Sequence, residues 1–425
     1  MLCILMSKFI EVNNKMKKFL FLILLSICLY PIDLDNAIDQ FEKKSYTTEK
    51  NKLNIDSFEI TDSLIKKGEW NGLTLNVDNK YYDTKGESHY GMSTQLSYGI
   101  FNYRLDYDTL DNDIEENRVG VAKDLRELYY SKYDSQKKIN DLSLEAQKLK
   151  NKQSSDTQII NLIDLYKNYK NKEKEIEVEE KGLDVKKKDY GILKRKYEVG
   201  TASEFDYLSS KAEYEKSILR LDNLRRELVV YAEGFKVYNV VIDSKFSEIN
   251  KRDLEKEEFY NIGFTDIESV KVDESINNEK LKREKFESGM PELNAEASYS
   301  FEKEEVVVGL GIKKVLFEYK ADTELIKNDL RKNQVDYLDT KNQVVNRIRE
   351  NMIQYTTLQT EELIAKKDLD IRQKDYEVYN KKYELGMSTY SDYLDRLNAY
   401  EIAARDYEKT KNELASFTYK IKYMN

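Results

Sequence analysis

The chain has 425 residues, 35% of them charged, with 2 Pro, 15 Gly, a mean hydropathy of −0.74 and a formal charge of −9. A Pro- and Gly-poor, charged sequence of this kind favours long helices with wide solvated faces over one compact core. No basic stretch is sustained or interleaved with aromatics, which excludes nucleic acid as an expected partner. Cys occurs only at positions 3 and 28, and the single His, His89, sits in the polar run DTKGESH, which reads as a loop. Neither a zinc site nor a His-based triad is expected from that supply. The abundant carboxylates read as solvated helix faces, so no catalytic residue, metal or cofactor is predicted.

The chain opens with an address. Met16–Lys18 is a basic start and Phe19–Leu29 (FLFLILLSICL) an apolar run, too short for a membrane helix of about 20 residues but suited to a secretory signal. Cleavage near Ala37 in LDNA gives a leader over 1–37. Cys28 raises a lipid-anchored alternative, which the bulky Ile27 before it opposes. Residues 38–72 are short and mixed and show no full helix.

Over 73–101 the pattern changes to period two. Leu73, Leu75, Val77 and Tyr81 alternate with Thr74, Asn76, Asp78 and Lys80. After the polar loop, Tyr90, Met92, Thr94, Leu96 and Tyr98 alternate with Gly91, Ser93, Gln95 and Ser97. A second hairpin over 291–316 repeats this. Leu293, Ala295, Ala297, Tyr299 and Phe301 alternate with polar residues, then Val306, Val308, Leu310 and Ile312 follow a tight turn. One face for lipid and one for water is what a membrane-barrel strand needs, although a single such hairpin also fits a soluble protein. Four strands cannot close a barrel, and lipid tolerates no open edge, so several chains are expected to share one.

Long helical stretches follow each hairpin, over 102–240 and 317–425, separated by a mixed segment and helix over 241–290. Apolar or Tyr residues recur every seven positions, as at Ile176, Leu183, Tyr190 and Tyr197, and at Tyr393, Tyr400, Tyr407 and Leu414. Such heptads are coiled-coil seams, and two registers on one helix predict a neighbour on either side. From Phe317 to Gly386 is 69 positions, about 100 Å of helix. The first half is 30 residues longer, and the polar stretch KNKQSSDTQ at 150–158 marks an expected insertion within 131–160.

Each helical stretch contains one motif, KYEVGTASEFDYL around Gly200 and KYELGMSTYSDYL around Gly386, at an offset of 186. Gly200 and Gly386 stand where a helix must stop, since Gly takes the left-handed conformation at least cost. Ser203 and Thr389 are N-cap candidates with Asp206 and Asp392 three residues on. Each motif therefore predicts a tight turn between antiparallel helices, at 199–206 and 385–392.

The order hairpin, long helix, YxxG-x5-D turn and returning helix, written twice, resembles the TolC-type outer-membrane factor family over about residues 70–425. QLSYGIF and IKKVLF resemble the ends of that family's second strands, and 269–301, with Pro291, its helix leading into a strand. The resemblance implies a mostly α protein with a membrane β-barrel portion. Its four strands per chain would close a twelve-stranded barrel in a homotrimer, with a coiled-coil duct reaching into the periplasm. It implies export through an adaptor protein and an inner-membrane pump, with docking at Val199, Gly200, Thr201, Leu385, Gly386 and Met387. Acidic residues of the duct's aperture fall on Asp206, Asp392 and Asp395, although helix capping by the first two is an equal reading. A basic residue common two past the tip Gly is replaced by Ala202 and Ser388. The competing expectation is an exported, trimeric coiled-coil structural or adhesive surface protein anchored by its strands.

Overall fold

The computed structural model describes residues 32–84, 87–108, 113–241, 246–316 and 320–425. The predicted signal run with both Cys, the His89 side chain and Phe317 lie outside the described residues. The chain divides into two units, one formed by 32–50, Lys152–Phe264 and Gln343–Asn425, the other by Asn51–Asn151 and Thr265–Asn342.

The elements run α1 (Leu34–Lys44), α2 (Tyr46–Lys67), β1 (Thr74–Thr84), β2 (Glu87–Tyr98), β3 (Phe101–Asp108), β4 (Asp113–Asp124) and α3 (Lys132–Glu198). Then come α4 (Glu204–Gly234), α5 (Lys256–Tyr260), α6 (Phe264–Gly289), β5 (Glu292–Ser300), β6 (Glu305–Lys313), α7 (Ala321–Glu384) and α8 (Tyr390–Lys420). Among the described residues no helix is long and apolar enough to cross a membrane.

The helical unit has its main core where α1, α3, the end of α4 and the end of α8 meet. Ala37, Phe41, Ile159, Leu162, Ile163, Tyr166, Phe235, Phe246, Ala415 and Tyr419 form it. Tyr166 is fully buried, and its hydroxyl lies 2.9 Å from the carbonyls of both Ile32 and Ser247, so the one polar atom of a large apolar body is satisfied. Asp33 caps α1 by accepting from Asn36 N at 2.7 Å. The expected leader boundary at Ala37 falls inside α1. Ala37 is fully buried one turn into α1, and a cut there would divide the helix and strip Leu34 from the core.

The sheet unit holds six antiparallel strands in sequence order, not four. The additional pair is β3–β4, which lies where the sequence predicts the start of a helix. It also removes the predicted insertion: KNKQSSDTQ is continuous helix within α3, and α3 and α7 have nearly equal lengths of 67 and 64 residues. The extra length of the first half is a β-hairpin. QLSYGIF is the end of the second strand, as the resemblance implies: Gln95–Tyr98 closes β2, and Gly99 and Ile100 then form a two-residue turn into β3, with Tyr98 paired to Phe101. The polar run around His89 is strand on either side of residues 85–86 rather than a loop. A full helix, α2, does precede β1, as α6 precedes β5.

Candidate functional site

The first candidate surface is the sheet. Cross-strand partners project to the same side, so the register sorts the side chains into two faces. One face carries Leu75, Val77 and Tyr81 of β1, Tyr90, Met92, Leu96 and Tyr98 of β2, and Phe101, Tyr103, Leu105 and Tyr107 of β3. It continues through Val119 and Val121 of β4 and Leu293, Ala295, Ala297 and Tyr299 of β5 to Val306, Val308, Leu310 and Ile312 of β6. Asn79, Thr94 and Asn117 interrupt its middle, and Lys123 stands on it at the end where β4 leaves the sheet. The opposite face carries Asn76, Asp78, Lys80, Ser93, Gln95, Arg104, Asp106, Glu116, Arg118, Ser298 and Glu296. There Ser93 donates to Asp106 at 2.5 Å, and Arg104 pairs with Asp106 at 2.9 Å and Glu116 at 3.5 Å. Arg118 pairs with Glu116 at 2.6 Å.

The apolar face is uncovered: Leu310 is 77% exposed and Leu75 58%. A contiguous apolar surface across six strands is far beyond what an isolated soluble chain shows to water. At one end of the sheet lie the last residues of β1, β3 and β5 and the first of β2, β4 and β6. At the other, the chain enters or leaves through helices, and Trp70 packs on Tyr98 and Phe101 with ring centroids 5.3 and 6.0 Å apart.

The second candidate surface is the pair of helical turns. Gly200 and Gly386 have φ of +76° and +71°, the left-handed region predicted for them. At the first turn Thr201 N donates to Lys196 O at 2.8 Å and Gly200 N to Tyr197 O at 2.9 Å. At the second, Met387 N donates to Lys382 O at 2.8 Å and Gly386 N to Tyr383 O at 3.0 Å. Both are Schellman closures, which satisfy carbonyls the helix would otherwise leave open. The caps form as predicted: Ser203 Oγ accepts from Asp206 N at 3.0 Å and Thr389 Oγ1 from Asp392 N at 3.1 Å. The Thr389 hydroxyl and backbone hold the exposed Asp392 carboxyl below its usual range.

Val199, Leu385 and Met387 stand well exposed at these turns, with Phe205 and Leu208 beside them. The two turns share one core, in which Ala202 and Leu193 pack with Tyr383, Tyr390, Tyr393 and Leu397. The predicted Tyr seams become stacks. Tyr190 packs on Tyr207 and Tyr214 across α3–α4, and Tyr376 on Tyr400 with Tyr383 on Tyr393 across α7–α8. Asp395 is exposed and stands apart from the caps.

The sequence reading missed a third feature, because it treated helix carboxylates as solvated. Between α3, α4 and α8 lies a layer of buried charge. Lys186 Nζ is 3.4 Å from Glu401 Oε2 and 3.2 Å from Ser217 Oγ, and Glu179 meets Arg220 at 3.3 Å and Arg405 at 3.6 Å. Burial pushes Glu401 up. One turn along, Asp189 is buried among Tyr376, Tyr383, Tyr390 and Tyr393; burial pushes its carboxyl up to about 6, with Tyr393 opposing as a hydrogen-bond partner. Gly182, adjacent in space to Glu401, was the only local sequence sign that a large group needed room. Among the described residues no His, Cys, Asp and Glu group could hold a metal ion.

The chain thus combines a six-stranded sheet with one apolar face and paired long helices that turn at glycine. No protein-family model and no curated protein matches the sequence. Solved structures do. The chain is similar to the CmeC outer membrane channel of Campylobacter jejuni, at 14% identity and a TM-score of 0.72, over 92% of this chain and 85% of that one. It is equally similar in fold to a membrane protein from Pseudomonas aeruginosa, at 11% identity and a TM-score of 0.72, over 92% and 93%. The outer membrane protein VceC of Vibrio cholerae matches at 10% identity and a TM-score of 0.65, over 92% and 96%. The fold is the one these channels share, as the resemblance in the sequence implies.

Proposed function

We propose that the chain is the subunit of an outer-membrane channel, serving as the exit duct of a tripartite efflux or type I secretion system. Three copies join their sheets into one barrel and their helical hairpins into one periplasmic duct. The N-terminal run exports the chain. Val199, Gly200, Thr201, Leu385, Gly386 and Met387 dock a periplasmic adaptor, which couples the duct to an inner-membrane pump. Asp206, Asp392 and Asp395, repeated by the threefold axis, line the aperture, where rings of carboxylates favour cations.

The observation that carries this reading is the register that puts an apolar face on one side of all six strands and a polar face on the other side of β1 to β5, with Val307 and two glycines between Glu305 and Lys313 on that side of β6. Lipid requires the first and an aqueous lumen the second. A surface stalk anchored by strands needs no polar inner wall with ordered ion pairs, which disfavours that alternative. The fold shared with the CmeC channel supports the assignment. The chain passes substrate and transforms none.

The test is single-channel conductance of the mature protein in a planar bilayer, with and without millimolar divalent cations. Steady pores that divalents narrow, and narrow less in Asp395→Ala, are expected. Silence from a verified membrane-inserted oligomer, even with Asp206, Asp392 and Asp395 all replaced, would sink the duct.

A further inference from the structure

We infer that β1 and β6 are the two halves of an intermolecular seam, so that three copies close an eighteen-stranded barrel rather than a twelve-stranded one. This rests on the trimeric duct proposed above and fixes its wall and its partner, which is a second copy of this chain. The six strands form an uninterrupted antiparallel meander, so β1 and β6 run in opposite directions. Joining β6 of one copy to β1 of the next therefore continues the alternation without a parallel pair. The two strands have 11 and 9 residues, the length a tilted membrane strand needs, about 9–11.

Neither edge is cut short, bent away or broken by Pro, the devices that keep an edge strand free. β1 and β6 contain no Pro, and among the described residues the register shift lies inside β3–β4, between Asp106 and Tyr107. The mid-strand charges of β1, Asp78 and Lys80, stand on the polar face, where an aqueous lumen hydrates them without blocking the backbone of the edge. The lipid-type face reaches both edges, with Val77 and Tyr81 on β1 on either side of Asn79, and Val306, Val308, Leu310 and Ile312 on β6, these apolar residues all at least half exposed. Unpaired backbone along either edge is untenable in hydrocarbon, so each must find a strand. Barrel diameter grows roughly in proportion to strand number, so this wall is about 1.5 times wider than a twelve-stranded one.

The register supplies a clean test. Thr74 pairs with Ser97, so excising 74–98 joins neighbouring points and leaves a four-stranded sheet with β3 at its edge. The full chain and the excised chain are compared in planar bilayers, with the mass of each inserted oligomer measured. Both are expected to be trimers that conduct, the excised one at about half the conductance, as its lumen area falls. Equal conductance from two trimers overturns the inference, since β1–β2 would then stand outside the wall.

Disulfide trapping decides the matter if the excised chain does not fold. In the otherwise full-length mature chain, Gly309→Cys on β6 is combined with Asn76→Cys, Asp78→Cys or Lys80→Cys on β1, or with Asn102→Cys or Arg104→Cys on β3. Intermolecular trapping with a β1 partner and none with β3 is expected. Trapping to β3, or to neither strand, overturns the eighteen-stranded wall. Loss of all conductance from inserted trimers removes the duct instead and leaves the trapping result to stand by itself.

Discussion

Gly182 lies directly against Glu401: a Cβ on the glycine would fall 1.9 Å from Glu401 Oε1 and 2.8 Å from its Cδ. The carboxylate occupies the space that a side chain on α3 would take, and from there its other oxygen reaches Lys186. Ordinarily Gly→Ala within a helix is stabilising, by about 1 kcal/mol. At Gly182 the carboxylate must move and leave Lys186 buried with a weakened partner, a loss of about 2–4 kcal/mol that outweighs the gain. Gly182→Ala is thus expected to lower the thermal midpoint. Gly191→Ala on the same helix, where a Cβ meets nothing within 4 Å, is expected to raise it. Circular dichroism melts of both variants check this, and a stabilised Gly182→Ala would refute the packing argument.

Asp189 gives a pH signature of defined sign. Its carboxyl is raised from 3.8 to about 6, so the folded chain holds the proton to higher pH than the unfolded chain does. That burden is absent below about pH 4, grows as pH rises through the folded value, and is complete above it. Asp189→Asn keeps a hydrogen-bond acceptor for Tyr393 and removes the charge. It is expected to stabilise the fold at pH 7.5 by up to about 3 kcal/mol, with the difference vanishing near pH 4. Melts at the two pH values decide it; a variant destabilised equally at both would mean that Asp189 is needed as an anion.

How much of this was readable in advance depends on what each residue's signal reports. The outer hairpins were legible because β1, β2, β5 and β6 alternate apolar with small or polar residues. The β3–β4 hairpin was not, because Arg104, Asp106, Glu116 and Arg118 make its polar face as charged as a helix surface, and only the register shows that they pair. Helix α2 was invisible for a different reason: none of its residues is buried, so it has no core stripe to display. The helical turns were fully legible, since a left-handed Gly and an N-cap with Asp at the third position are local chemistry. The buried layer was not, because Glu179, Lys186 and Glu401 look like any solvated heptad residue until α3, α4 and α8 are brought together.

The caps and the proposed aperture can be separated by experiment. Thr389 and Asp392 exchange hydrogen bonds across the start of α8, the Thr389 N donating to Asp392 Oδ2 at 3.4 Å and Asp392 N to Thr389 Oγ1 at 3.1 Å. Removing either by Thr389→Ala or Asp392→Ala is expected to lower stability by about 1 kcal/mol, and the double variant by less than the sum, because one cap is lost only once. Asp395 belongs to no cap, so Asp395→Ala should leave the melt unchanged while weakening the divalent effect on conductance. A melt shifted by Asp395→Ala would place it in the fold's support rather than in the aperture.

The base of the sheet offers a spectroscopic test, because Trp70 is the chain's only tryptophan. Gly99, at φ +59°, is the first residue of the two-residue β2–β3 turn, the position that type II′ hairpins reserve for glycine. A Cβ there would fall 2.3 Å from Cε3 of Trp70, so Gly99→Ala must displace the indole from Tyr98 and Phe101 as well as strain the turn. The combined loss is about 2–3 kcal/mol, part from left-handed backbone and part from the aromatic contacts. The expected readout is a red shift of tryptophan emission together with a lowered melt. Gly311→Ala is the control, since a Cβ on that strand residue meets only ordinary contacts at 3.8 Å with Asn294. If Gly99→Ala left the emission unmoved, Trp70 would not be seated on the turn, and the aromatic anchor at this end of the sheet would have to be sought elsewhere.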